Sequence, residues 1–179
     1  MLLETIIIIL IGTMLHFTYE LSNHNKVVAL FSAVNESTWE HIKIGLTATF
    51  MYSFIDGAFL GTNENYFIAK FISLVCIIII IPLLFYTYKS FTKKSILPVD
   101  IIIFCISIIV SQQCFKYILS LDKLPFYLSY LSVVGILSIF AFYMVATLMP
   151  IKNEIFKDPI SHKYGIKGHT EIYLHHHHH

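Results

Sequence analysis

Long apolar stretches separated by short polar ones dominate the chain, and the stretches have the length of membrane spans. They cover about residues 2–21, 42–60, 66–88, 98–121 and 125–149. Each is near the roughly 20 residues that carry a helix across about 30 Å of hydrocarbon. Predominantly apolar runs of this length, with no strand-like alternation, predict an all-α, polytopic transmembrane helix bundle of about five spans. The first run lacks a basic leading region and a small-x-small cleavage site, so it predicts a retained helix and not a cleaved signal. Between the first two spans, the apolar stretch at 27–34 is too short to cross; it predicts an interfacial or re-entrant segment. The tail after Pro150 is polar and is expected to leave the membrane. No inverted internal repeat of the transporter kind is visible.

Composition agrees with lipid as the solvent. Of 179 residues, 56% are hydrophobic and 13% charged, against the roughly 45–50% apolar content of soluble domains. The expected organisation is a single integral membrane domain over 1–173, with an inner-face tail at 150–173. Residues 174–179 read as a purification tag, so the terminal histidines carry no ligand argument. The formal net charge of +1 offers no basic surface for nucleic acid. Every basic residue is lysine and none is arginine, which points to an AT-rich bacterial genome and a bacterial cytoplasmic (plasma) membrane. Cys76, Cys105 and Cys114 lie inside apolar runs without CxxC spacing and read as inert thiols.

Lysine placement sets an expected orientation. With the N-terminus outside, the inner segments hold Lys26, Lys43, Lys89, Lys93, Lys94, Lys152, Lys157, Lys163 and Lys167, and the outer side only Lys70, Lys116 and Lys123. The excess favours N-out, C-in by the positive-inside rule.

Ionisable groups in or beside a span are costly and therefore candidates for function. His16 and Glu20 end the first span one helical turn apart, with His16 about 7 Å inside the inner boundary at 1.5 Å per residue. The densest polar segment, Asn35-Glu36-Ser37-Thr38-Trp39-Glu40-His41-Ile42-Lys43, precedes the second span; Tyr86, Tyr88 and Asp100 belong to the same membrane face. From this set, Glu36, Glu40 and His41 are candidate acid-base groups, and His16, Glu20 and Asp100 are candidate ligands for a divalent metal. Asn35, Trp39, Lys43, Tyr86, Tyr88 and Tyr164 are candidate substrate contacts. Structural alternatives stand beside each. Ser37 and Glu40 have capping-box spacing, Trp39 and the tyrosines suit an aromatic belt, and Lys43 suits a snorkelling side chain. Glu20 opposes the helix dipole and needs a cation, which protonated His16 or a metal would supply. No HExxH or paired ExxH spacing supports the metal. Toward the outer face, Asp56, Lys70, Ser111, Gln112, Gln113 and Lys116 form a thinner set, read either as a bundle-holding ion pair of Asp56 with Lys70 or Lys116, or as the rest of a polar path.

Four strings, HFTYE at 16–20, NESTWEHIK at 35–43, LFYTY at 84–88 and DPISHKYGI at 158–166, together resemble an uncharacterised family of small integral membrane proteins from clostridia and related Firmicutes. The resemblance implies that the YGI tail belongs with the inner-face cluster, and supplies no reaction. Ala33 stands where the family usually has Pro, and His162 where Gly is expected, which puts a tight turn there in doubt. Three function classes follow from the residues: a membrane-embedded enzyme on an amphiphilic small-molecule or lipid substrate, a carrier or channel for a small solute or ion, and a non-catalytic subunit with a protein partner or homo-oligomer. A ligand- or metal-binding site near the cytoplasmic face is the favoured expectation.

Overall fold

A computed structural model describes residues 2–167, and among these it is all helical apart from turns and one isolated β-bridge. Five long helices form the bundle: α1 (Leu2–Leu21), α3 (Thr38–Leu60), α4 (Tyr66–Thr92), α5 (Leu97–Leu119) and α6 (Phe126–Leu148). A short α2 (Lys26–Ala29) follows α1, and a 3-10 turn (Glu154–Phe156) sits in the tail. His169 and the histidine run lie outside the described residues.

The helices α1, α4, α5 and α6 are long and apolar enough to cross a membrane, making the chain a multi-pass membrane protein. The remaining long helix, α3, is not among those four, and packing explains why it need not be. Residues 42–49 of α3 are buried without a break, so the first half of this helix is enclosed on all sides and can carry Glu40, Lys43, Thr47 and Thr49 inward, while Phe54 and Phe59 in its second half face outward. By contrast α6 buries only Ser132, Tyr143, Ala146 and Thr147 and turns Leu131, Val134, Leu137 and Val145 outward, as a lipid-facing helix should.

Sequence chemistry sets the helix ends. Ser37 is an N-cap, its Oγ accepting the Glu40 N–H at 3.3 Å, which starts α3 four residues before the apolar run. Pro98 opens α5, where its missing N–H costs nothing. α4 continues through Pro82 to Thr92 and ends on Lys93 in the left-handed region, φ 60°. The 27–34 stretch becomes α2 and turns, with Ala29 and Val34 packed against Tyr19 at the end of the bundle. Ala33 uses the N–H that a proline would lack, donating to the Leu15 carbonyl at 3.3 Å.

The ion pairs gather at the ends of the bundle, and its middle buries apolar side chains together with hydroxyls such as Thr47, Thr49 and Ser107. At one end, the Lys70 Nζ and the Tyr66 hydroxyl both donate to Asp56 at 2.6 Å, and Lys116 pairs with Glu4 at 2.6 Å. Asn65, 2% exposed, staples this end. Its amide donates to the carbonyls of Leu121 and Asp122 at 3.0 and 3.1 Å, and its Oδ1 accepts the Leu124 N–H at 2.9 Å. Truncation would leave these loop carbonyls and the Leu124 N–H without their partner, each costing about 1–3 kcal/mol. Asn65→Ala is therefore expected to destabilise the protein by about 2–4 kcal/mol in reversible denaturant unfolding of the detergent-solubilised chain, whereas Asn63→Ala, on a more exposed side chain, changes it by less than about 1 kcal/mol.

Candidate metal and amphiphile site

At the opposite end, the C-termini of α1 and α4, the N-termini of α3 and α5, and the tail surround a cavity of about 890 Å³. His16 from α1, Glu36 from the turn before α3, and His41 from the first turn of α3 come together there. One ligand atom from each lies within 4.8 Å of the others. The His16 Nε2 is 3.2 Å from the Glu36 Oε1, and the two imidazoles are 5.7 Å apart between centroids.

Two further contacts hold this trio in a form suited to coordination. The His41 Nδ1 lies 3.0 Å from the Ser37 carbonyl oxygen. A carbonyl only accepts, so Nδ1 carries the proton and a neutral ring keeps its Nε2 lone pair free, the arrangement usual for metal-ligating histidine. Glu36 is fixed through its backbone, its N–H donating to the Asp158 Oδ1 at 3.0 Å. Asp158 is fully buried, and its other oxygen accepts the Ser161 N–H and hydroxyl, each at 2.6 Å. The tail string and the Asn35–Lys43 string are thus one structural unit, tied again by the Asn35 amide to the Gly165 carbonyl at 3.0 Å.

The remaining candidates fall elsewhere. Glu20 is exposed and its place beside His16 is taken by Glu36. Asp100 lines the cavity but its carboxylate accepts the Tyr88 hydroxyl and, at 2.6 Å, the Ser95 hydroxyl, so it closes the α4–α5 turn. Glu40 and Lys43 form a buried ion pair at 2.6 Å. The Glu40 Oε2 also accepts the Val34 N–H at 3.0 Å, where a capping box would have it reach the Ser37 N–H. Lys43 does not snorkel: it is 0% exposed, and its other donors reach the Ala29 carbonyl at 2.9 Å and the Thr147 Oγ1 at 3.3 Å. With three donors in use, it has none for a substrate. Trp39 is a core residue and not a belt anchor, stacked 4.7 Å from Phe156 and edge-on to Phe142 at 5.4 Å. Tyr86, Tyr88 and Tyr164 do not line the cavity; Tyr164 pairs with Lys157 in the bridge that folds the tail back.

Lining residues that the sequence did not flag for chemistry are Lys89, Lys93, Lys94, Lys157 and Phe104. The lysines entered only as orientation markers. The floor is the Phe104 ring, which lies so close over α1 that a Cβ at Gly12 would meet its Cζ at 2.4 Å.

This geometry can be set against known proteins. The sequence profile of a family of unknown function, DUF6512, matches residues 1–166. The chain belongs to this family. No curated protein and no solved structure matches it. The family match spans every element of the site, from His16 to the Asp158–Gly165 tail, and it brings no activity with it.

Two outcomes test the site's framework. Lys43→Met leaves Glu40 charged and uncompensated in the bundle and is expected to cost about 3–5 kcal/mol, much of it recovered by adding Glu40→Gln, which keeps an acceptor for Val34; a double-mutant cycle in denaturant measures both. His162 does make the tight turn, at φ 58°, a conformation that strains a side-chain-bearing residue by about 1 kcal/mol or more. His162→Gly is expected to raise the midpoint of thermal unfolding.

Proposed function

We propose that this protein is a membrane-embedded, divalent-metal-dependent enzyme acting on the headgroup of an amphiphile. The reading is carried by the position of the His16, Glu36 and His41 trio on a cavity that the apolar Ile44, Phe85, Ile101 and Phe104 also line. Two histidines and one carboxylate, with the fourth side open, are the ligand set of catalytic zinc and of other first-row divalent sites. A metal held there would polarise an ester or phosphoryl oxygen and lower the pKa of a bound water, which supports hydrolysis as the reaction class. This chain's own contribution is preorganisation: Ser37 orients His41, and Asp158 anchors Glu36 through its backbone. The lysine distribution supports an N-out, C-in orientation in a bacterial plasma membrane, with the cavity in the cytoplasmic leaflet.

A transport path has less support. The cavity and the smaller one near Asp56 and Lys70 share no lining residue, and Ile8, Leu74, Ile77 and Ile108, each at most 1% exposed, lie at the intervening levels of the helices.

Elemental mass spectrometry of protein purified without chelator and freed of its terminal histidines tests the proposal. The expected result is about one divalent metal per chain, lost in Glu36→Gln and His41→Ala and kept in Glu20→Gln. Hydrolysis of a labelled lipid by wild type, abolished in Glu36→Gln, would complete it. A wild-type chain free of metal and inert toward lipids would overturn it.

A further inference from the structure

The charge and shape of the cavity specify its occupant further, given the reading above that it is an amphiphile site. Its lining carboxylates are already engaged. Glu36 pairs with His16, Asp100 holds Tyr88 and Ser95, Asp158 holds Glu36 and Ser161, and Glu154 lies 3.4 Å from Lys157. Lys89, Lys93 and Lys94, at the end of α4 and in the turn to α5, have no carboxylate partner among the described residues and line the same cavity. The Lys89 Nζ sits 5.3 Å from the Phe85 ring centroid, where the cationic rim meets the apolar wall. A rim with free cations and no free anion attracts a net-negative headgroup and gives nothing to a choline or an ammonium.

The apolar part is shallow and open at the side. From Leu97 to Phe104 the cavity follows α5 for about 10 Å, less than the roughly 15 Å of one leaflet's hydrocarbon. Phe17 and Ile101, on α1 and α5, line it while remaining 55% and 54% exposed toward the outside of the bundle. A chain entering over the Phe104 floor would therefore leave between α1 and α5 into the bilayer, a geometry that favours a lipid over a free soluble anion.

We infer that the occupant is an anionic phospholipid. Its phosphate is held by Lys89, Lys93 and Lys94 beside the His16–Glu36–His41 trio, and its first acyl carbons lie against Phe85, Ile101 and Phe104.

Native mass spectrometry of the full detergent-solubilised chain, offered equal phosphatidylglycerol and phosphatidylcholine, tests this. A basic residue near an anionic lipid surface contributes about 1 kcal/mol, so wild type is expected to prefer phosphatidylglycerol by about tenfold or more. The Lys89→Gln, Lys93→Gln, Lys94→Gln triple variant falls to near parity. Lys26→Gln with Lys152→Gln, two exposed lysines outside the cavity, keeps the preference. Equal retention of both lipids by wild type, or a preference that survives the triple variant, overturns the inference; so does displacement of the lipid by millimolar inorganic phosphate, which would make the site one for free phosphate. Metal content measured on the same samples separates the two readings. Metal without lipid preference overturns this inference alone, and lipid preference without metal overturns the metal reading alone.

Discussion

The buried Glu40–Lys43 pair is the constraint on which the site end of the structure depends. Two opposite charges one helical turn apart at the start of α3 would be unremarkable on a wet surface, worth a few tenths of a kcal/mol. Here both are enclosed, and every remaining donor or acceptor must be met inside the protein. Lys43 meets that demand by gathering the Ala29 carbonyl and Thr147, and Glu40 by taking the Val34 N–H. One ion pair thereby fixes the 25–37 connection over the bundle end, the entry of α3 and the exit of α6. Glu36 precedes that pair in sequence and His41 lies between its two members, so their position against His16 is set by it.

The two polar ends also address a problem common to helices in lipid. Hydrocarbon gives apolar helices little reason to choose one register over another, since tails and side chains are equally apolar. Direct hydrogen bonds and ion pairs at the ends supply the register. At the Asp56–Lys70 end the groups engage one another, with the Lys70 Nζ also 4.2 Å from the Phe115 ring centroid. At the other end the Glu40–Lys43 pair and Asp158 are likewise engaged, and they stand beside the cavity lined by the trio and the lysine rim. The larger cavity lies at this end, and a smaller one lies near Asp56 and Lys70 at the other.

Much of the fold was legible because span length is a property of the sequence alone. α1 falls on 2–21 and α6 on 126–148, within a residue of the apolar runs, and α3 begins four residues earlier because Ser37 caps it. The site was legible in part. His16, Glu36 and His41 are all candidates from the sequence, but helical spacing, the only proximity a sequence displays, pairs His16 with Glu20, its neighbour one turn along. The partner it has, Glu36, comes from another element. His162 shows the reverse: a non-glycine was read against the turn that the surrounding contacts of Asp158 and Ser161 nonetheless impose.

The sequence by itself determined that this chain lives in lipid as a helical bundle, that its polar groups gather at the ends of the spans, and which segment carries the densest chemistry. Those are consequences of hydrophobic run length and of the cost of charge in hydrocarbon, both local quantities. Only the tertiary structure decided which polar groups are engaged within the protein and which face the cavity. Lys43, Trp39 and Asp100 lie at the same end of the bundle as the candidate site, yet each is engaged by partners on other elements. Lys89, Lys93 and Lys94, ordinary positive-inside lysines in the sequence, become a cavity rim because α4 and α5 deliver them beside α1 and the tail. Whether a polar side chain is spent or free is a matter of partners distant along the chain, and those exist only once the helices have packed.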